Sequence, residues 1–283
     1  AVFYFEQAYQ LLAEHKAWTK AIVAKKNQAD LLFGSRSNER AVETFQFMLD
    51  SVGHHLTDTL RGEAYYKIGL SYARMARFVP ALKYMQKAAR ARSLVYNPAH
   101  LTLATTYHML GRLYFVIGDY RQSLHYQQQF MQILQANYDE GHVRLAEAYL
   151  YVGLSYSRLY EHELALEFYQ KTLDILLSQD PINKDGVAST YNNMGLVYGR
   201  MGRINQELEY LRKALVLRPS DNTSKATNLH NIGRAHVDLQ QYDEGLNYLQ
   251  RAARLKTQLV GPEHTTVAAT FGQIGHLYRE LQQ

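Results

Sequence analysis

A chain of 283 residues in which 47% are hydrophobic, 23 are tyrosine and only 5 are proline can bury a continuous core and has few helix breakers, so disorder is excluded over most of it. There is no cysteine, which rules out disulfides and thiolate metal sites and fits a reducing compartment. Lys and Arg number 31 against 26 Asp and Glu, a net charge of +5 that favours acidic partners but is too diffuse to make nucleic acid the expected ligand of this segment.

No apolar run approaches the ~20 residues a spanning helix needs. The start, AVFYFEQAYQLLAEHK, carries an acid in its first turns and no basic stretch ahead of an apolar one, so it is not a secretory signal. A soluble, cytoplasmic protein without membrane partners is the expectation. The missing initiator Met, with a helical pattern already running at residue 3, suggests a fragment of a longer chain.

Residues 1–58 read as a degenerate first repeat or cap. Phe3, Phe5, Tyr9 and Leu12 recur at helical spacing, a second helix is predicted over 18–33, and GSRSN at 34–38 breaks it. Asn38 is the expected cap of a third helix with Ala41, Phe45, Met48 and Leu49 on its apolar face. Terminal repeats are commonly atypical because one face meets water.

From residue 59 to 283 the chain is periodic. Gly69, Gly111, Gly153, Gly195, Gly233 and Gly275 are separated by 42, 42, 42, 38 and 42 residues. Four residues before each glycine stand Tyr65, Tyr107, Tyr149, Tyr191, Leu229 and Phe271; three after it stand Tyr72, Tyr114, Tyr156, Tyr198, His236 and Tyr278. That spacing puts both rings on one stripe of a helix with the glycine between them. Twelve residues past the glycine come Ala81, Ser123, Ala165, Glu207 and Gly245, mostly small, where a second helix can approach closely. Predicted turns fall at 75–78, 117–120, 159–162, 201–204 and 239–242, and the connections between units, such as SQDPINKDG and RPSDNTS, are rich in Pro, Asn, Asp and Gly. A fixed period of helix, turn and helix predicts an all-α solenoid of stacked antiparallel helix pairs with six signature units, the last incomplete.

The pattern resembles the tetratricopeptide repeat: an aromatic, Leu-Gly, Tyr, then a small residue, an aromatic and often Pro in the second helix. YNNMGLVY at 191–198, Ala214 and Pro219 carry it most fully. The resemblance implies a right-handed superhelix. Family units are about 34 residues long, whereas these step mostly by 42, and such long units look like those of the Rap/NprR group of bacterial peptide-pheromone receptors and of kinesin light chains. The first likeness implies an intracellular quorum-sensing peptide receptor, whose N-terminal effector region, a DNA-binding helix-turn-helix or a helical bundle, is not evident in 1–58. The second implies a protein–protein adaptor scaffold; of its usual connecting phrase only GPEH at 261–264 comes close. A regulatory domain of an enzyme is a third, weaker possibility.

No catalytic motif is present. Gly195, Gly199 and Gly202 lack the dinucleotide-binding spacing and follow no strand, so they read as repeat punctuation. Twelve histidines give the adjacent pair His54 and His55 but no ligand spacing for a metal. No intrinsic activity, cofactor or metal is expected.

Binding residues are expected on the first helices, on the face away from the ring stripe, at positions two before, one after and five after each glycine. These hold Tyr151, Asn193 and Asn231; Arg112 and Arg234; and Arg74, Arg158 and Arg200. Asn193 and Asn231 repeat in adjacent units, and each carboxamide can donate to and accept from an extended peptide backbone. Arginines would select carboxylates, while Asn192 and His230 adjoin the same surface. The predicted ligand is a short, acid-containing peptide or a partner's tail. The competing reading is that these asparagines tie neighbouring helices together and the arginines are exposed helix formers. An end at LYRELQQ, one helix into a unit, predicts a homodimer or further repeats.

Overall fold

The computed structural model describes residues 1–281; Gln282 and Gln283, the end of the LYRELQQ segment, lie outside the described residues. Every regular element described is helical: α1 (Val2–Glu14), α2 (Trp18–Gly34), α3 (Asn38–Ser51), α4 (Asp58–Arg74), α5 (Phe78–Ser93), α6 (Leu101–Ile117), α7 (Tyr120–Asn137), α8 (Val143–Arg158), α9 (His162–Leu177), α10 (Lys184–Arg200), α11 (Ile204–Val216), α12 (Thr223–Asp238), α13 (Tyr242–Val260) and α14 (Thr265–Leu281). The helices fall into two compact units, Ala1–Asp139 and Glu140–Gln283. Each is an array of helix pairs.

The periodic residues explain the pairing. In α4 and α5, Tyr72 stacks on Tyr84 with ring centres 5.7 Å apart and Tyr65 tilts against the same ring at 6.2 Å. The three-ring contact recurs as Tyr107, Tyr114 and Tyr126, as Tyr149, Tyr156 and Phe168, and as Tyr191, Tyr198 and Tyr210. In the next pair Leu229 replaces one ring and His236 stacks on Tyr248 at 5.5 Å. Offset and tilted geometries suit aromatic quadrupoles, and each cluster clamps a helix pair together. The glycine between the rings sets the helix separation: a Cβ on Gly195 would lie 3.1 Å from the Glu207 carbonyl. Ala81, Ser123, Ala165 and Glu207, twelve residues on, are all buried.

Each predicted turn is closed alike. The second residue takes a left-handed conformation at Ala76, Gly118, Tyr160, Gly202 and Gln240, with φ between 55° and 94°. The next amide then donates back to the carbonyl of the ring residue, as Arg77 does to Tyr72 (2.9 Å) and Gln241 to His236 (2.9 Å). This bond satisfies a carbonyl that the helix end would leave bare.

In the first unit α2 and α3 follow the same plan with Ala29 and Ala41, both fully buried, in the glycine and small positions. Asn38 is not the cap: it is the first residue of α3, and Ser37 holds the cap position. Residues 1–58 are not set apart as a separate body, because one buried cluster joins Tyr9, Phe45, Met48, Val52 and Leu56 to Ala64 and Ile68 of α4. Lys26, Lys67, Asp30 and Glu63 add an ion network across α2 and α4, with contacts of 2.5 to 3.1 Å. Among the described residues no helix is long and apolar enough to cross a membrane.

Candidate functional site

Eight of the ten predicted site residues lie in Glu140–Gln283, and a polar cleft of that unit lies where α10, the end of α11 and the start of α12 meet. Local sequence fixes the ends. Asn183 caps α10 by accepting from the Gly186 amide at 3.0 Å, and Asn222 caps α12 by accepting from the Lys225 amide at 2.8 Å. Pro219 and Asn222 stop one helix and start the next within a few residues.

The asparagines divide by role. Asn192 Oδ1 accepts from Asn228 Nδ2 at 3.3 Å and from Asn231 Nδ2 at 3.1 Å, a tie between α10 and α12. Asn231 is buried, so its carboxamide packs the two first helices and does not stand open as its spacing predicted. Asn193 is half-buried and no hydrogen bond engages its side chain. It lines a cleft of about 220 Å³ with Ser189, Asn192, Arg218, Thr223, Ser224 and Thr227. The tie orients Asn192 and leaves Asn193 beside it available.

The arginines are partly engaged. Arg74 Nη1 donates to the Phe33 carbonyl at 3.1 Å and its guanidinium stacks 4.0 Å over the Phe33 ring; Arg200 Nη1 donates to the Ser157 carbonyl at 3.3 Å and to Ser157 Oγ at 2.6 Å. In both, an arginine ending a first helix satisfies a carbonyl near the end of the preceding first helix, where cations also complement the helix dipole. Arg200 keeps the remainder of its fork exposed. Burial, then the nearby charges of Arg158 and Arg234, lower its pKa. Arg112 lies in the first unit and is exposed.

Arg234 Nη2 donates to Glu207 Oε1 at 2.5 Å. Glu207 occupies a small-residue position, fully buried, and fits because Gly199 opposite has no side chain; a Cβ there would overlap Oε2. That oxygen has no partner, and burial raises the Glu207 pKa against the pull of Arg234. Gly199 is therefore room for a carboxylate, a role its reading as punctuation missed.

His230 is half-buried with Nδ1 3.2 Å from Thr270 Oγ1. Burial, with Lys256 and Arg234 nearby, pushes its pKa down to about 4, so it is neutral at pH 7 and offers hydrogen bonds and ring surface, not charge. Tyr151 lines a separate, more apolar hollow with Leu150, Thr172 and Leu176. No signal in the chain singled out Arg218, which sits in the RPSDNTS connection; its register in the repeat, 23 residues after Gly195, was the available clue.

The surface thus combines an open carboxamide, hydroxyls and guanidinium groups, which suit an extended backbone with acidic groups. Among the described residues no three His, Asp or Glu side chains are placed to hold a metal ion.

The tetratricopeptide repeat family model matches residues 60–136, 144–220 and 224–283. The chain belongs to the tetratricopeptide repeat family. No curated protein sequence matches it. Among solved structures it is similar to the apo form of the quorum sensor NprR from B. thuringiensis, with TM-score 0.73 and 16% identity over 93% of this chain and 73% of that one. NprR in complex with its cognate peptide NprX gives 0.66 and 16% over 97% and 79%. A putative kinesin light chain from Podosopora anserina with nearly identical TPR-like repeats gives 0.59 and 14% over 72% and 97%. At such identities the likeness is one of fold.

Proposed function

We propose that this tetratricopeptide repeat chain is a non-catalytic binding module that holds a short, extended, acid-containing peptide, acting as a receptor for a signalling peptide. The ligand lies along α8, α10 and α12 of the Glu140–Gln283 unit. The observation that carries this reading is Asn193: a half-buried carboxamide with no partner of its own, facing a polar cleft and held beside the Asn192–Asn231 tie. A backbone N–H and C=O can bond one carboxamide at the same time, which gives affinity independent of side chains. The exposed arginines Arg158 and Arg200, at the ends of α8 and α10, supply the preference for acidic residues. Similarity in fold to NprR bound to its cognate peptide is consistent with this use.

The same surface would serve an adaptor that grips a partner's tail, and the two uses differ in whether a free peptide suffices. Calorimetric titration of a library of acidic heptapeptides tests the proposal. Asn193→Ala is expected to weaken any bound peptide about tenfold, the value of one well-shielded hydrogen-bonding pair. Equal affinity in the variant removes Asn193 from the site.

A further inference from the structure

Repeat proteins allow one unit to be compared with another, and the position 23 residues after the reference glycine, in the last turns of a second helix or, at Arg218, two residues past the end of α11, departs from its own rule once. In two units this position is Leu134 and Leu176, both buried apolar residues. In three it is a buried basic residue: Arg92, Arg218 and Lys256. Arg92 Nη1 reaches the next first helix, donating to Thr106 Oγ1 at 2.7 Å and to the Thr102 carbonyl at 3.3 Å. Lys256 Nζ does the same to Thr270 Oγ1 at 2.8 Å and the Thr266 carbonyl at 3.4 Å. Both cations are thereby satisfied by neutral acceptors of one geometry.

Arg218 is different. The residues equivalent to the accepting pair are Ser224 and Asn228 of α12. Asn228 directs Nδ2 to Asn192, and its buried Oδ1 has no partner. Arg218 turns the other way: Nη2 donates to Ser189 Oγ at 2.9 Å on its own unit's first helix, and Nε has no acceptor. The residue is 5% exposed and, among the described residues, no carboxylate lies within salt-bridge distance of it, the charge of Asp185 acting from further away. Burying a guanidinium against one neutral hydroxyl is costly unless something else supplies acceptors.

What faces it is polar and carries no carboxylate in its lining. Arg218 lines the same cleft as Ser189, Asn193, Thr223, Ser224 and Thr227. Thr223 and Ser224 open the first turn of α12; the Lys225 amide is taken by the Asn222 cap, which leaves the amides of Thr223 and Ser224 without an acceptor within the helix, at the positive end of its dipole. A buried, uncompensated guanidinium, a helix start and hydroxyls converge on one small space.

We infer that this cleft is an oxyanion site that takes a carboxylate from a peptide end or acidic side chain, with inorganic phosphate sharing the same chemistry. Arg218 and the α12 amides hold the oxygens, while Asn193 on the same cleft grips the adjoining backbone. The identity of the carboxylate's carrier rests on the peptide reading above; the oxyanion site itself stands without it.

The test uses the full chain with two probes, inorganic phosphate and a pool of Asp-ending hexapeptides in free-acid and C-terminally amidated forms, measured by calorimetry and by chemical-shift perturbation. Two variants accompany it. Arg218→Met keeps the stem and removes the fork, and Asn228→Thr replaces the carboxamide with the hydroxyl that Thr106 and Thr270 offer to Arg92 and Lys256. Each is first checked for wild-type helical circular dichroism. The expected result is phosphate binding weakened at least tenfold in both variants, with Asn228→Thr also raising the thermal midpoint. Binding of the free-acid peptides but not the amidated ones assigns the carboxylate to the chain terminus; equal binding of both forms, still dependent on Arg218, assigns it to the side chain. Phosphate binding that depends on Arg218, with no peptide bound, supports the oxyanion site and removes the peptide reading. Peptide binding that is unchanged in Arg218→Met overturns the oxyanion site and leaves the peptide reading in place. No phosphate binding at millimolar concentration, with identical behaviour of wild type and both variants, also overturns it.

Discussion

Gln240 closes the turn between α12 and α13 at φ 60°, the left-handed region where a Cβ crowds the backbone, while Gly118 and Gly202 occupy the equivalent place in other units. The strain of one such residue is about 1 kcal/mol. Gln240→Gly is therefore expected to stabilise the protein by roughly that amount less a few tenths for chain entropy, measured by urea unfolding. Ionisable groups add a second residue-level effect. Because His230 titrates near 4 when folded against 6.5 in the free side chain, the unfolded chain binds more protons between those values. Stability therefore falls as pH drops from 6.5 towards 4, by at most about 3 kcal/mol for a half-buried group. Wild type should lose more stability between pH 7 and pH 4.5 than His230→Gln does. Parallel pH curves would contradict the burial of His230.

The helix pair is the unit that makes these residues intelligible. Rings before and after the glycine were legible in the sequence because packing demands the same shape in every unit, and Tyr72 on Tyr84 or Tyr198 on Tyr210 shows why. Glu207 was legible only as an exception to smallness; that it is a buried acid housed by Gly199 and held by Arg234 depends on three helices at once. For Asn231 spacing could not choose between its two readings, because a carboxamide has the same donors whether it meets a peptide or Asn192. Arg218 was invisible in a connection rich in turn residues until Arg92 and Lys256 gave its register a meaning. The Glu207 arrangement is testable. Alanine is the better helix former by about 1 kcal/mol, yet Gly199→Ala is expected to destabilise by about 2–4 kcal/mol, because the added methyl displaces the carboxylate from Arg234. Adding Glu207→Ala to Gly199→Ala should recover much of that loss, a coupling a double-mutant cycle reads directly. Additive effects would show that the two do not share the space.

Across the whole molecule, the all-α array was legible in the repeat period, since a 42-residue step fits no single globular core, and the family in the residues that recur with it. The grouping of helices into Ala1–Asp139 and Glu140–Gln283 was not legible, because every connection in the sequence has similar turn composition. A net charge of +5, with Arg158 and Arg200 exposed in the second unit, predicts that acidic peptides bind more weakly as salt rises. Affinity should fall severalfold between 50 mM and 500 mM NaCl, whereas a salt-independent Kd would assign recognition to the carboxamide and apolar groups alone. The most direct test of the central claim is calorimetric titration of the acidic heptapeptide library against wild type and Asn193→Ala. Saturable binding to wild type that weakens about tenfold in the variant is the predicted result; absence of binding by any peptide, or equal affinity in both proteins, would contradict it.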